Sequence, residues 1–142
     1  MSDERLSIAD YPLAEKRPEI VRGKRGKGLD EITLEALIAD RVTLEDLRIT
    51  AAALRQQAEI ARAAGRNTLA ANFERGAELV DVPQDTIMRI YELLRPGRAE
   101  SREALLAAAR KLRDQYGATR MAAFVEEAAA VYERRGLFKK RF

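Results

Sequence analysis

The chain has 142 residues and a net charge of +3, with 26 Lys and Arg against 23 Asp and Glu, a length suited to a single domain. It contains neither cysteine nor histidine. Disulfide frameworks, thiol nucleophiles, Cys- or His-ligated metals and the imidazole chemistry of common hydrolases are therefore excluded.

Of the 46% apolar residues, 25 are alanine and only eight are aromatic. A core built this way is thin in large side chains, because stabilisation scales with apolar area buried, at roughly 25 cal/mol per Å². Such a composition favours close helix packing, or a subunit that completes its core against a partner. No apolar run reaches the ~18 residues of a membrane span. The start, Met1–Leu13, lacks the apolar stretch of a secretory signal. The expectation is a cytoplasmic helical protein.

Residues 1–31 hold Pro12, Pro18 and the glycines Gly23, Gly26 and Gly28 without apolar periodicity, which predicts an irregular arm. Residues 32–142 form the predicted helical domain. Thr33, Thr43 and Thr50 read as successive N-caps. Each carries a hydrophobic staple, Ile32 with Leu37, Val42 with Leu47 and Ile49 with Leu54, and Asp46 completes an acidic capping box. This spacing predicts two short helical segments and then a long one. The long stretch presents Leu54, Ala58 and Ala61, then Leu69, Phe73, Ala77 and Val80 at helical spacing. Gly65 either ends it or weakens it.

Pro83 suits the first turn of a helix carrying Ile87, Ile90, Tyr91 and Leu94, which Pro96-Gly97 ends. Ser101 caps a helix with Leu105, Ala109, Leu112 and Tyr116, stopped by Gly117. A last helix carries Met121, Phe124, Val125, Ala128, Val131 and Tyr132 and leads to Gly136 and a basic tail. The fold class expected is all-α, about four main helices in a bundle behind an irregular N-terminal arm.

The segment Arg22-Gly23-Lys24-Arg25-Gly26-Lys27-Gly28 mixes glycines and cations, as anion-binding loops do. It lacks the Gly-Lys-Ser/Thr of a P-loop, and no apolar strand precedes it. A nucleic-acid arm using residues 22–27 and the tail Arg134, Arg135, Lys139, Lys140 and Arg141 is the alternative reading. A net +3 and the absence of interleaved aromatics weigh against it. Glu74 with Glu78, and Glu126 with Glu127, read as a solvated helix face rather than a metal or acid–base pair. Tyr91, Tyr116 and Tyr132 fall in phase with apolar residues, and neither Ser7 nor Ser101 has an activating base beside it. The residues by themselves support a helical interaction subunit.

Several motifs then occur in a fixed order: Asp10-Tyr11-Pro12-Leu13, Pro18-Glu19, Ile32-Thr33-Leu34-Glu35, Leu47-Arg48-Ile49-Thr50 and Gln57-Ala58-x-Ile60-Ala61. They continue with Asn72-Phe73-x-Arg75, Ala77-Glu78-Leu79, Val82-Pro83, Ile90-Tyr91-x-Leu93-Leu94-Arg95-Pro96, Ala122-Ala123-Phe124-Val125 and Val131-Tyr132. Over about residues 10–135 the chain resembles the small (gamma) subunit of adenosylcobalamin-dependent diol and glycerol dehydratases. The resemblance implies a heterohexamer of large, medium and small subunits, two copies of each. Adenosylcobalamin would lie between the large and medium subunits, with the substrate in the large subunit's barrel. Radical chemistry there turns a 1,2-diol into an aldehyde and water. The small subunit would supply no catalytic, cofactor or metal residue and would bind neither nucleic acid nor membrane.

An apolar Tyr-Pro-Leu in an arm without a helix to bury it suggests a subunit contact. Tyr11, Pro12 and Leu13, with the corner at Arg95 and Pro96, are the interface residues expected. Some relatives enter bacterial microcompartments through N-terminal extensions. Only nine residues precede Asp10 here, so encapsulation is not expected.

Overall fold

The computed structural model describes residues 5–138. These residues are all-α and, among them, no strand forms; the one β-type pairing is an isolated bridge between Arg22 and Gly28. Contacts divide the chain between Val80 and Asp81 into two compact units.

In the first unit, short helical turns at Ile8–Asp10, Pro18–Ile20 and Leu29–Glu31 flank a one-turn helix α1 (Leu13–Lys16). The arm is therefore ordered, and it lies along something. The Ile8–Asp10 turn contacts helix α4 (Ala51–Ala63), and the Leu6 N–H donates to Glu59 Oε2 at 3.1 Å. Asp10 ties the arm to itself by accepting from the Ser7 N–H at 2.7 Å and from Arg17 Nη1 at 3.1 Å. The Ser7 N–H, and then the Arg17 guanidinium, hold its carboxyl below the usual range.

The three threonine caps act where the sequence puts them. Thr33 precedes α2 (Leu34–Ile38) and accepts from the Ala36 N–H at 3.1 Å. Thr43 precedes α3 (Leu44–Leu47), with Asp46 accepting from the Thr43 N–H at 2.9 Å. Thr50 precedes α4 and accepts from the Ala53 N–H at 3.0 Å. Gly65, at φ +74°, then breaks the long stretch, because a left-handed residue cannot continue a right-handed helix. The chain doubles back as α5 (Asn67–Leu79). Ala58, Ala61 and Ala70 let these two helices approach closely, with Leu69 and Phe73 packed against them.

The second unit holds α6 (Gln84–Leu94), α7 (Arg102–Tyr116) and α8 (Thr119–Arg134). Pro83 sits just before α6, one position earlier than expected, and its carbonyl accepts from the Ile87 N–H at 3.1 Å. Ser101 caps α7 and Gly117 closes it. The α7–α8 hairpin buries Leu105, Ala109, Leu112, Ala122, Val125 and Ala129 completely. A bidentate pair from Arg113 to Glu126, at 2.5 and 3.2 Å, crosses between the two helices. Tyr132 donates its hydroxyl to the Leu94 carbonyl at the end of α6 and packs edge-on against Phe138, so it serves packing.

Candidate subunit interface

Eleven of the twenty buried apolar residues described are alanine, whereas twelve large apolar side chains are exposed. Among the described residues, twelve large apolar groups are thus exposed against nine buried, and the rest are half-buried. Isolated exposed leucines are normal, but a clustered surplus marks an interaction surface. Nine of the twelve precede Thr50.

Their arrangement follows from helix geometry. At 100° per residue, Leu34, Leu37 and Ile38 share one face of α2, and Ala36 lies opposite them. Ala36 is the buried one; Ile38 is 75% exposed. In α3, Leu44 and Leu47 share a face, and the buried residue on the far side is Asp46; Leu44 is 79% exposed. Both short helices therefore turn their small or polar side inward and their leucines outward. The staples read from the sequence do not bury Leu37, Leu47 or Ile49, all of which are at least half exposed. With only four or five residues in each helix, the inward positions are already taken by Ala36 and Asp46.

Asp46 is the anchor of this arrangement. Its side chain is fully inaccessible to solvent and takes Arg25 in two bonds of 2.8 Å, from Nε and Nη2. Arg25 Nη2 also donates to the Arg41 carbonyl at 2.9 Å. The Arg25 guanidinium is the main cause holding the carboxyl below its usual range. Burial opposes it, and the Thr43 N–H adds to it. Lys24 approaches Glu45 at 3.5 Å and Arg22 approaches Glu31 at 3.8 Å. Gly23 runs so close to α3 that a Cβ there would stand 2.5 Å from the Asp46 carbonyl oxygen. The basic loop is thus a strap docked on its own chain, and three of its cations are already paired. Of the basic tail, Lys139, Lys140 and Arg141 lie outside the described residues.

The interface residues expected from the sequence separate into two kinds. Tyr11 is 61% exposed, Pro12 is half-buried, and Arg95 and Pro96 are exposed. Arg95 pairs with Glu92 at 3.2 Å. Leu13 differs, being only 4% exposed, because α1 turns it into the first unit. The Tyr-Pro-Leu of the arm is therefore no single open patch. In the second unit, Met88 and Tyr91 share the outer stripe of α6, opposite the buried Thr86 and Ile90, and Arg95 follows the helix end in extended backbone. Tyr, Met and Arg are the residue types enriched at interfaces.

Of the carboxylates weighed earlier, one from each pair is engaged with an arginine. Glu74 accepts from Arg62 at 2.8 Å, and Glu126 from Arg113. Among the described residues, no group of three or more acidic side chains could hold a metal ion, and no helix is long and apolar enough to cross a membrane.

Comparison with known proteins identifies the family. Residues 6–139 match the family described as "Dehydratase small subunit". The chain is 51% identical over 132 residues to a propanediol dehydratase small subunit of Citrobacter freundii, covering 93% of this chain and 76% of that protein. A propanediol dehydratase small subunit of Salmonella typhimurium matches with the same identity and coverage. A chain with so little buried in large side chains and so much exposed belongs to the dehydratase small-subunit family.

Proposed function

We propose that this chain is the small, non-catalytic subunit of an adenosylcobalamin-dependent diol or glycerol dehydratase, working in the cytoplasm. It assembles with a large and a medium subunit, two copies of each, and binds neither nucleic acid nor membrane. The observation that carries this reading is a surface rich in large apolar side chains on a chain without histidine or cysteine. Groups for docking are present in surplus, and groups for chemistry are scarce.

We assign the cobalamin to the larger subunits, and the donor set of this chain gives a metal ion little to bind. It offers no imidazole or thiolate, and its paired carboxylates are committed to arginines. Loss of water from a diol to give an aldehyde is therefore assigned to the larger subunits. Of the arm and corner residues, Tyr11, Pro12, Arg95 and Pro96 would touch the large subunit, and Leu13 would hold the arm in place from inside. The strap 22–28 acts on the fold rather than on nucleic acid, since Arg25 is bound to Asp46.

Expressing the large and medium subunits with and without this chain tests the reading. Adenosylcobalamin-dependent aldehyde formation from propane-1,2-diol and glycerol should require the chain, which should co-purify with the other two. Full activity in its absence, together with no co-purification, would overturn the proposal.

A further inference from the structure

The hairpins α4–α5 and α7–α8, one in each unit, share a series of matched positions. We propose that they are two copies of one helical-hairpin module, so that the second helix of one can stand in for that of the other.

The match begins at the first cap. Thr50 accepts from the Ala53 N–H at 3.0 Å, and Ser101 accepts from the Ala104 N–H at 3.2 Å. Each first helix then gives way to a left-handed glycine, Gly65 at φ +74° and Gly117 at φ +62°. The next residue has nearly the same backbone in both, with φ −93° and ψ 64° at Arg66, and φ −81° and ψ 66° at Ala118. Its carbonyl accepts the N–H of Ala70 at 3.0 Å in one hairpin and of Ala122 at 2.9 Å in the other. A glycine stop of this kind is common at helix ends, so the turn decides nothing by itself. The side chains beyond it carry the argument. The fifth residue after each glycine is an alanine wholly closed to solvent, Ala70 or Ala122. The eighth is a core apolar residue, Phe73 or Val125. The ninth is a glutamate that crosses to an arginine near the end of the first helix, Glu74 to Arg62 and Glu126 to Arg113. The twelfth is again a buried alanine, Ala77 or Ala129. From the glycine onward, every pair keeps one offset of 52 positions.

These residues act together. The two alanines lie one heptad apart on the inner face and set how closely the helices approach. The glutamate ties that spacing to one register across the hairpin. Matched residues at a constant offset are the mark of a repeated unit. The units then differ in what precedes the hairpin: the arm, strap, α2 and α3 in the first, and α6 in the second.

The test exchanges a segment within the full chain. In one variant, residues 66–79 take the sequence of residues 118–131, which keeps the register. In its control they take the sequence of residues 119–132, shifted by one. The in-register exchange retains both alanines and the glutamate. It also places a Cβ at Gly76 in ordinary contact with Leu54, at 3.7 Å. Its main loss is Phe73→Val. The shifted exchange sets a glutamate where Phe73 packs on Ala58, Ala61 and Ala70. Urea unfolding is followed by circular dichroism. The in-register variant should unfold cooperatively, with a folding equilibrium constant lowered roughly 10- to 100-fold. The shifted variant should lose its cooperative transition. An in-register variant no more stable than the shifted one, where either folds, overturns the proposal. If neither folds, Gly65→Ala and Gly117→Ala decide, since each forces a side chain into left-handed backbone. Each should raise hydrogen exchange of its own hairpin by roughly tenfold, and the two rises should agree within about threefold. A larger difference between them overturns the proposal.

Discussion

The α7–α8 hairpin and the α2–α3 segment use the same helical alphabet in opposite senses. In the hairpin, leucine, valine and alanine at helical spacing turn inward, and Leu105, Leu112 and Val125 lose all contact with solvent. In α2–α3 the apolar face turns outward, and the inward positions belong to an alanine and an aspartate. Apolar periodicity reports that a helix has a face, but it does not say what the face meets. The hairpin is satisfied by its own chain. The α2–α3 segment is held by its own chain yet is left unsatisfied on its other side, as expected of a surface kept for a partner.

Substitutions in the two regions should differ in effect accordingly. The largest effect should come from Leu112→Ala, which leaves a cavity in the hairpin and should cost about 2–5 kcal/mol in a urea melt. Next comes Gly23→Ala. Its Cβ would collide with the Asp46 carbonyl oxygen, and relieving that clash should cost about 1–3 kcal/mol. Hydrogen exchange across residues 22–28 should rise in this variant. A smaller effect, visible only through pH, belongs to Asp46. Its folded-state carboxyl titrates below the usual value of about 3.9, so its contribution is fully present above that value. It is lost as pH falls through the folded value. Asp46→Asn should lower the melting temperature at pH 7, and the gap from wild type should shrink as the pH drops below about 4. The smallest effect should be Leu44→Ala, within about 0.5 kcal/mol for the free chain, because that side chain is mostly exposed. A loss as large as that of Leu112→Ala would place Leu44 in the core and erase the contrast.

Much of the local structure is legible in the sequence because its causes are local. Thr33, Thr43, Thr50 and Ser101 begin helices through bonds spanning three residues, and Gly117 ends one through its own backbone angle. The two short helices before a long one follow from that spacing. The ordered motifs from Asp10 to Tyr132 carry the family likeness that the comparisons bear out. What the sequence hides depends on residues far apart. Arg25 and Asp46 are 21 positions from each other, and their pairing turns a loop whose composition suggests only a solvated or partner-bound segment into a strap on its own chain. The inward turn of Leu13 and the outward turn of Leu37 and Leu47 depend on which neighbours fill the interior first. A Leu-rich turn looks the same in sequence whichever way it faces. Gly65 reads either as an end or as a weak point, and its positive φ decides for the end.

The decisive measurement is hydrogen exchange of residues 34–49 in the free chain and in the assembled dehydratase. Exchange there should slow markedly on assembly, while residues 105–129 keep the same protection in both. Residues 34–49 exchanging at the same rate before and after assembly would show that this face meets no partner.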